Sequence, residues 1–368
     1  MARTLKSDNV LFWAALALVS SSVVMVVSAT PELKGLGETA LKQLGLAAFG
    51  IVLLLVMMRV DYHHLRRPEV IWTLLGITVI ALLLVFGFTK RNGAQRWIYL
   101  PGLSLQPSEL AKLAAVLFAA AVLERRMHRI NDVGYSLVPI GIVTGGLAFL
   151  VVKEPDLGSA AVLVLAVMAM IFAAGLSWRY LTGVSLLMLP VLTYFILAYP
   201  FRVQRILAFL RPDTDALTKN WQLAQSKIAL GSGGIFGLGF GEGKQKLFWL
   251  PESHNDFIFA VIGEELGLIG TTAILACFVV IAWRGLRAAL LAPDRFGTLL
   301  GIGISMMLGM QALINMSVVS GLAPTKGLPL PFVSQGGSSL LVSLIAMGVL
   351  LNISQQASST AAVSVDAR

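Results

Sequence analysis

Charge is scarce in this 368-residue chain, where only 13% of the residues are Asp, Glu, Lys or Arg. A soluble domain usually carries about 25%. So few charges cannot solvate a globular surface of this size. That excludes a soluble enzyme, a disordered chain and a nucleic-acid binder. Cysteine is scarcer still. The single one, Cys277, lies in an apolar run, which excludes a disulfide framework and a Cys-based metal site. Histidine is also rare: His63 and His64 are adjacent, His128 is isolated, and none has a partner at a metal-binding spacing. These three read as surface residues. Acidic residues number 19 against 28 Lys plus Arg, and the formal net charge of +9 implies attraction to anionic lipid or a phosphorylated lipid substrate. The two halves of the chain show no convincing repeat.

Apolar runs are abundant. Hydrophobic residues make up 57% of the chain, and the mean hydropathy is +0.82. A membrane-spanning helix needs about 20 largely apolar residues. Ten segments qualify, at 10–29, 43–59, 69–89, 106–123, 135–152, 157–176, 179–199, 256–283, 297–322 and 337–354. The expected fold is an all-α integral membrane protein of about ten spans, one membrane domain over residues 1–354. Arg3 and Lys6 precede the first apolar stretch, as in a signal peptide, but its length and the nine spans that follow predict an uncleaved helix.

Lys and Arg in the short loops set the orientation. With the N-terminus inside, the inner loops hold Arg59, Arg66, Arg67, Arg125, Arg126, Arg129, Arg179, Arg284, Arg287 and Arg295. The short outer loops hold Lys34, Lys42, Lys90, Arg91, Arg96, Lys153 and Lys326. Both termini are therefore expected in the cytoplasm. Trp97, Trp178, Trp249 and Trp283 fall near predicted helix ends, where amphipathic rings prefer to sit.

One connection is out of scale. Residues 200–255 lie between the seventh and eighth spans, on the outer side, and connections this long are usually functional. Arg202, Arg205 and Arg211 alternate there with apolar residues, which predicts a short amphipathic helix on the outer leaflet; a solvated loop is the alternative. The Gly-rich stretch 231-GSGGIFGLGFGEGK-244 lacks P-loop spacing, because position 238 is Leu and Gln245 replaces the metal-binding hydroxyl. It reads as flexible backbone near the membrane surface. The tail, 355–368, is small and polar and is expected to be disordered.

Ionisable groups in or beside a bilayer are expensive, about 2.5–3.5 kcal/mol on insertion scales, so they normally pair or act. Three groups stand out. In 106-QPSELAKL-113, Glu109 and Lys112 share a helix face, as a self-neutralising pair or as a charged cavity wall. In 153-KEPDLGSA-160, Glu154 and Asp156 flank Pro155 in a tight turn that could be solvated or catalytic. In 250-LPESHNDFIFAVIGEELG-267, Glu252, His254 and Asp256 lead into an apolar run. Asp256 stands at the mouth of the eighth span, as a helix cap or as a functional carboxylate. Glu264, eight residues on, is about 12 Å deeper. It and Glu265 are expected to be structural, with partners such as Lys112. Basic residues in 90-KRNGAQRW-97 run against the orientation bias and suggest an anion site.

These motifs in this order resemble the SEDS family of shape, elongation, division and sporulation proteins. The matching stretches are 93-GAQRWI-98, 105-LQPSELAKL-113, 154-EPDLGSA-160, 221-WQLAQSKIALGSGGIFGLGFG-241, 247-LFWLPESHNDFIFAVIGEELG-267 and 321-GLAPTKGLPLPFVSQGGSS-339. The resemblance covers nearly the whole chain except its termini. Residues 243-GKQKLFWLPESH-254 and Thr325-Lys326-Gly327 look like the FtsW (division) branch, whereas Gly327–Pro331 leans towards the RodA (elongation) branch. The FtsW-like reading is preferred. Gln335 and Asn255 depart from the family's usual Tyr and Thr.

The resemblance implies peptidoglycan glycosyltransferase activity, in which lipid II is polymerised into glycan strands outside the bacterial cytoplasmic membrane. It implies a class B penicillin-binding protein as transpeptidase partner, other divisome membrane proteins, and a place at the division septum. The family's essential Asp falls on Asp256, and Trp97 matches a position linked to activity. Arg96, Glu109, Lys112, Lys153, Glu154, Asp156, Glu252, His254, Lys326, Ser334 and Ser338 are the expected substrate-binding residues. Such an inverting transfer needs one base, because pyrophosphate leaves without a general acid, unlike the alkoxide of a glycosidase. Asp256 is the expected base. Cations, or a divalent Mg or Mn held by carboxylates, would meet the leaving charge. The rivals are an elongation polymerase, a lipid II transporter and a non-catalytic scaffold.

Overall fold

The computed structural model describes residues 7–29, 36–88, 95–100, 103–210, 221–247, 249–251 and 253–366. Helices α1 (Asn9–Ser28), α2 (Leu36–Arg59), α3 (Pro68–Leu84), α4 (Pro107–Arg126), α5 (Val138–Lys153), α6 (Leu157–Ala173) and α7 (Trp178–Leu197) correspond to the first seven apolar segments. Two further helices, α8 (Pro200–Leu210) and α9 (Trp221–Gly233), occupy the long connection. The last three apolar segments form α10 (Ile258–Leu290), α11 (Arg295–Val319) and α12 (Gly337–Asp366). Between α3 and α4 a small antiparallel ribbon pairs β1 (Ile98–Leu100) with β2 (Leu103–Leu105), an element the sequence reading did not anticipate. Among the described residues seven helices are long and apolar enough to cross a membrane, and α6 is a shorter apolar helix. The fold is a multi-pass all-α membrane bundle.

Helix starts follow local chemistry. Pro68 and Pro107 open α3 and α4, where a missing N–H costs nothing. Asp8, Asp156 and Asp294 cap α1, α6 and α11 through their carboxylates. The centre of the bundle is α11, which packs on α10, α6 and α4, while α12 lies against α2. Ala111, Ala114, Ala115, Ala119 and Ala120 are all fully buried on α4. Small side chains let helices approach closely where no hydrophobic effect drives them together.

Asp8 and Ser354, near the two ends of the described chain, lie at one end of the bundle. There Arg284, near the end of α10, pairs with Asp8 at 2.8 Å, and Asp8 N–H donates to Ser354 Oγ. The backbone of α12 continues to Asp366, past residue 355, where a disordered tail was expected. Extending an existing helix is far easier than nucleating one, and this Ala- and Ser-rich stretch follows on a buried span.

The Gly-rich stretch also differs from its expectation. It packs against an interruption in α10 rather than lying loosely at the surface. Gly267 leaves the helix at φ 65°, ψ −158°, and the strand of chain after α9 fills the break. Leu238 and Gly239 donate to the carbonyls of Glu264 and Glu265, while Leu268 and Ile269 donate to Gly234 and Ile235. The backbones touch: a Cβ on Gly267 would sit 2.4 Å from Gly237 N, and one on Gly237 would sit 2.0 Å from Glu265 O. Broken backbone is tolerated at membrane depth only where protein satisfies it, and the glycines permit that here.

This junction also corrects the partner expected for the two glutamates. Glu265 is ion-paired with Lys246 at 2.6 Å and accepts from Ser28 Oγ. Glu264 accepts from the backbone N–H groups of Lys244 and Gln245. Lys112 is elsewhere, bound to Glu109 at 2.8 Å and to the Gln311 side chain.

Candidate active site

Asp256 lies at the opposite end of the bundle from the termini, in the turn before α10. It does not cap that helix, whose N-cap position is Phe257. The turn is held by its carbonyls. Asn315 Nδ2, on α11, donates to Asp256 O at 2.8 Å and to Leu328 O at 2.6 Å. Ser334 Oγ donates to Asn255 O at 2.7 Å, and Gln335 N–H donates to His254 O at 3.0 Å. Three successive peptide groups are thus fixed by α11 and the connection between α11 and α12. The carboxylate is left half-buried at the end of a clamped backbone.

Arg96 reaches the same point from the segment before β1. Its Nε donates to Glu154 O at 3.2 Å, and its Nη2 donates to Pro155 O. The third nitrogen faces Gly327. A Cβ at Gly327 would come 2.8 Å from Asp256 Oδ2 and 3.3 Å from Arg96 Nη1. The absence of a side chain at residue 327 is what allows a carboxylate and a guanidinium to converge there.

Arg96 and Gly327 also line a pocket of about 170 Å³ that holds Asp156, Arg202, Arg205 and Lys326. Four cations surround this space with, among the described residues, one lining carboxylate, and that carboxylate is already committed. Asp156 Oδ1 caps α6 through Ser159 N–H, and Oδ2 accepts from Gln106 Nε2 and Ser108 Oγ. Arg202 is buried, with its nitrogens on the carbonyls of Phe195 and Val152. Arg205 bonds Thr325 O at 3.3 Å and stays open to solvent. Burial holds the Lys326 ammonium below the usual lysine range, with Asp156 opposing that shift. A cluster of cations, one buried and two half-buried, in a concave site is poised for a phosphate-type anion. The predicted helix α8 exists, but its first two arginines line this pocket instead of forming a charged face along the membrane surface. Arg211 lies outside the described residues.

The expected site residues thus fall into groups. Asp256, Arg96, Asp156 and Lys326 come together. Ser334 braces the turn before Asp256, and Ser338 accepts from Gln106 N–H at the start of α4. Glu109 and Lys112 form a buried pair closed by Gln311, which donates in turn to Pro329 O, so they support the connection and do not line the pocket. Lys153 is exposed and lies over the Phe149 ring at 5.1 Å, away from the pocket. The Glu154 side chain is completely buried and its oxygens have no hydrogen-bond partner among the described residues. Burial, then Asp156, raise its pKa to about 9, against the lowering effect of Arg96. Trp97 and His254 are half-buried. Glu252 lies outside the described residues, as do Lys90 and Arg91. The sequence reading missed Asn315 and Gln311, polar residues in an apolar span, and Gly327. Amides at that depth were the available signal.

Among the described residues no three His, Cys, Asp or Glu side chains gather to hold a metal ion.

Comparison with known proteins agrees with this architecture. Residues 8–359 match the FtsW/RodA/SpoVE family, described as cell cycle protein. The chain is 43% identical to a protein of Trichlorobacter lovleyi named "Probable peptidoglycan glycosyltransferase FtsW", over 96% of this chain and 94% of that one. Its fold matches a chain from work on "Structural coordination of polymerization and crosslinking by a peptidoglycan synthase complex", with TM-score 0.78, 30% identity, and coverage of 96% and 99%. It also matches the rod shape determining protein RodA of Thermus thermophilus, with TM-score 0.70, 29% identity, and coverage of 95% and 97%.

Proposed function

The chain belongs to the FtsW/RodA/SpoVE family of cell cycle proteins, and on that premise we propose that Asp256 is the base with which it polymerises lipid II. It is an FtsW-like peptidoglycan glycosyltransferase, in line with its curated relatives. The observation that supports the role of Asp256 is its meeting with Arg96 across Gly327, at the mouth of a basic pocket.

In this mechanism Asp256 Oδ2 accepts the proton of the acceptor 4-hydroxyl as its oxygen attacks C1 of the donor sugar. The new C–O bond forms as the C1–O bond to pyrophosphate breaks, and the α-linked donor becomes a β-1,4 linkage in one displacement. The leaving polyprenyl pyrophosphate takes the C1–O bonding pair and so gains one negative charge beyond the two it carried as a diester, and Arg96, Arg205 and Lys326 are placed to bind it. Arg202, bonded to two carbonyls, shapes the pocket. Asn315 and Ser334 act through the backbone to hold Asp256, so they are positioning residues. Mg²⁺ is usually held by one or two carboxylates plus substrate phosphates, so a cation carried in with pyrophosphate is tested directly by adding EDTA.

The orientation proposed from Lys and Arg puts both termini in the cytoplasm and Asp256 outside, where the septal wall is built. A class B penicillin-binding protein, with other divisome membrane proteins, is the proposed partner. The match to a chain from a peptidoglycan synthase complex supports a transpeptidase partner in general.

The test is purified protein with its transpeptidase partner and labelled lipid II, wild type against Asp256→Ala. Glycan strands are expected from the wild type only. Undiminished polymerisation by the variant would remove Asp256 from the mechanism. Lipid II translocation in proteoliposomes without polymerisation would favour a transporter, and neither activity would leave a scaffold. A fluorescent fusion at mid-cell, as opposed to the side wall, separates division from elongation.

A further inference from the structure

A second cavity lies at the end of the bundle that carries the termini. It is a groove of about 380 Å³ between α3, α4 and α5. Its walls are apolar, with Trp72, Phe118, Val122 and Ile142 among them, and its end is formed by Arg125 and Arg126. Its volume falls within the ~300–1,000 Å³ of small-molecule sites.

The charges at that end are not consumed internally. Of the nearby carboxylates, Glu124 is engaged by Arg66 at 2.7 Å, while Glu69, in the first turn of α3, makes no ion pair among the described residues. Arg125 is exposed and makes no ion pair or hydrogen bond among the described residues. Arg126 is fixed in place, donating to Tyr135 O while its guanidinium lies over the Tyr135 ring at 4.7 Å. Arg129 approaches the same ring at 5.9 Å and adds a third cation. One arginine is thus anchored and one is open, both beside an apolar trough.

The dimensions separate the candidate occupants. From Phe118 to Arg126 is eight residues of α4, or about 12 Å along its axis. The hydrocarbon core of a bilayer is about 30 Å thick, so the groove serves one leaflet only. A transmembrane partner helix would need a groove running the full depth. A phospholipid needs an apolar trough of one leaflet's depth that ends in cations at the headgroup level.

We propose that this groove is a site for an anionic glycerophospholipid, with an acyl chain along Trp72, Phe118 and Ile142 and the phosphodiester on Arg125 and Arg126. The site is independent of Asp256, which lies at the other end of the bundle. Basic pockets between spans bind such headgroups in other membrane proteins. Bound there, the lipid would cross-link α3, α4 and α5.

The experiment is native mass spectrometry of the full chain in detergent, titrated with phosphatidylglycerol and separately with phosphatidylcholine. The wild type is expected to retain one phosphatidylglycerol in clear preference to phosphatidylcholine. Arg125→Gln, which breaks no contact, should weaken that retention about fivefold, and Arg125→Gln with Arg126→Gln about twenty-fivefold. Ile142→Trp, at a residue that is 69% exposed, should lower retention by filling the trough with both arginines intact. Unchanged polymerisation of lipid II by all three variants would show that they fold. Equal retention of the two lipids by the wild type, or full retention by the double arginine variant, would overturn the proposal. So would loss of the bound lipid when the transpeptidase partner is added at equal concentration, since a protein helix would then be the occupant.

Discussion

Replacing Gly327 by Ala tests the convergence of Asp256 and Arg96 most sharply, because it removes neither charge. The new Cβ would stand 2.8 Å from Asp256 Oδ2 and 3.3 Å from Arg96 Nη1. Ordinary van der Waals contact begins at about 3.4 Å, so the carboxylate must retreat by about half an ångström. Its backbone is clamped by Asn315 and its neighbours, so a side-chain rotation has to absorb the shift. A misplacement of 1 Å costs about 100-fold in rate, so half of that corresponds to about tenfold, or ~1.4 kcal/mol of barrier. The displaced atoms are the ends of flexible side chains, so the stability cost should lie at or below the ~1 kcal/mol low end for overpacking. The assay is glycan polymerisation from lipid II with the transpeptidase partner, read beside the thermal unfolding midpoint. Gly309→Ala on α11 is the control, because its Cβ would meet only Ala282 Cβ at 3.6 Å. Gly327→Ala should be folded and about tenfold slow, and Gly309→Ala folded and fully active. Wild-type turnover by Gly327→Ala would refute the reasoning that the two charged groups work together at this point.

Three further outcomes follow from the geometry. Asn315→Leu should lower kcat more than it raises KM, because it frees the Asp256 turn without touching substrate. It should also destabilise the fold by about 1–3 kcal/mol for each buried carbonyl left unpaired. Lys246→Met should destabilise by about 3–5 kcal/mol by leaving Glu265 buried without its cation, and adding Glu265→Gln should recover much of that loss in a thermal unfolding assay. Glu154 should make stability depend on pH. Its pKa rises from 4.5 unfolded to about 9 folded, so both states are protonated in acid, and the unfolded state alone loses its proton between those values. Stability should therefore fall as pH rises through that window and level off above it, whereas Glu154→Gln should remove this slope from unfolding curves.

The spans were legible because membrane burial writes a long, simple signal. α11 was expected at 297–322 and forms at Arg295–Val319, and α6 was expected at 157–176 and forms at Leu157–Ala173. Asp256 was legible as a carboxylate beside a span within a specific motif. The partners of the glutamates were not. Helix spacing gives the depth of Glu265, but only the fold brings Lys246 down beside it, through a Gly-rich stretch that enters a break in α10. Local propensity reads such a stretch as loose backbone, because glycine's usefulness in close packing depends on what it packs against.

The sequence by itself determined a membrane protein, about ten crossings, and a short list of charged residues too expensive to be idle. Hydropathy and the cost of ions in lipid act on each segment separately, so they can be read without knowing its neighbours. Tertiary structure decided which of those charges meet. It set Asp256 and Arg96 on either side of Gly327 and gathered Arg202, Arg205 and Lys326 around one pocket. Those pairings join residues up to some 230 positions apart in the chain. They depend on helix packing, and no local pattern encodes packing.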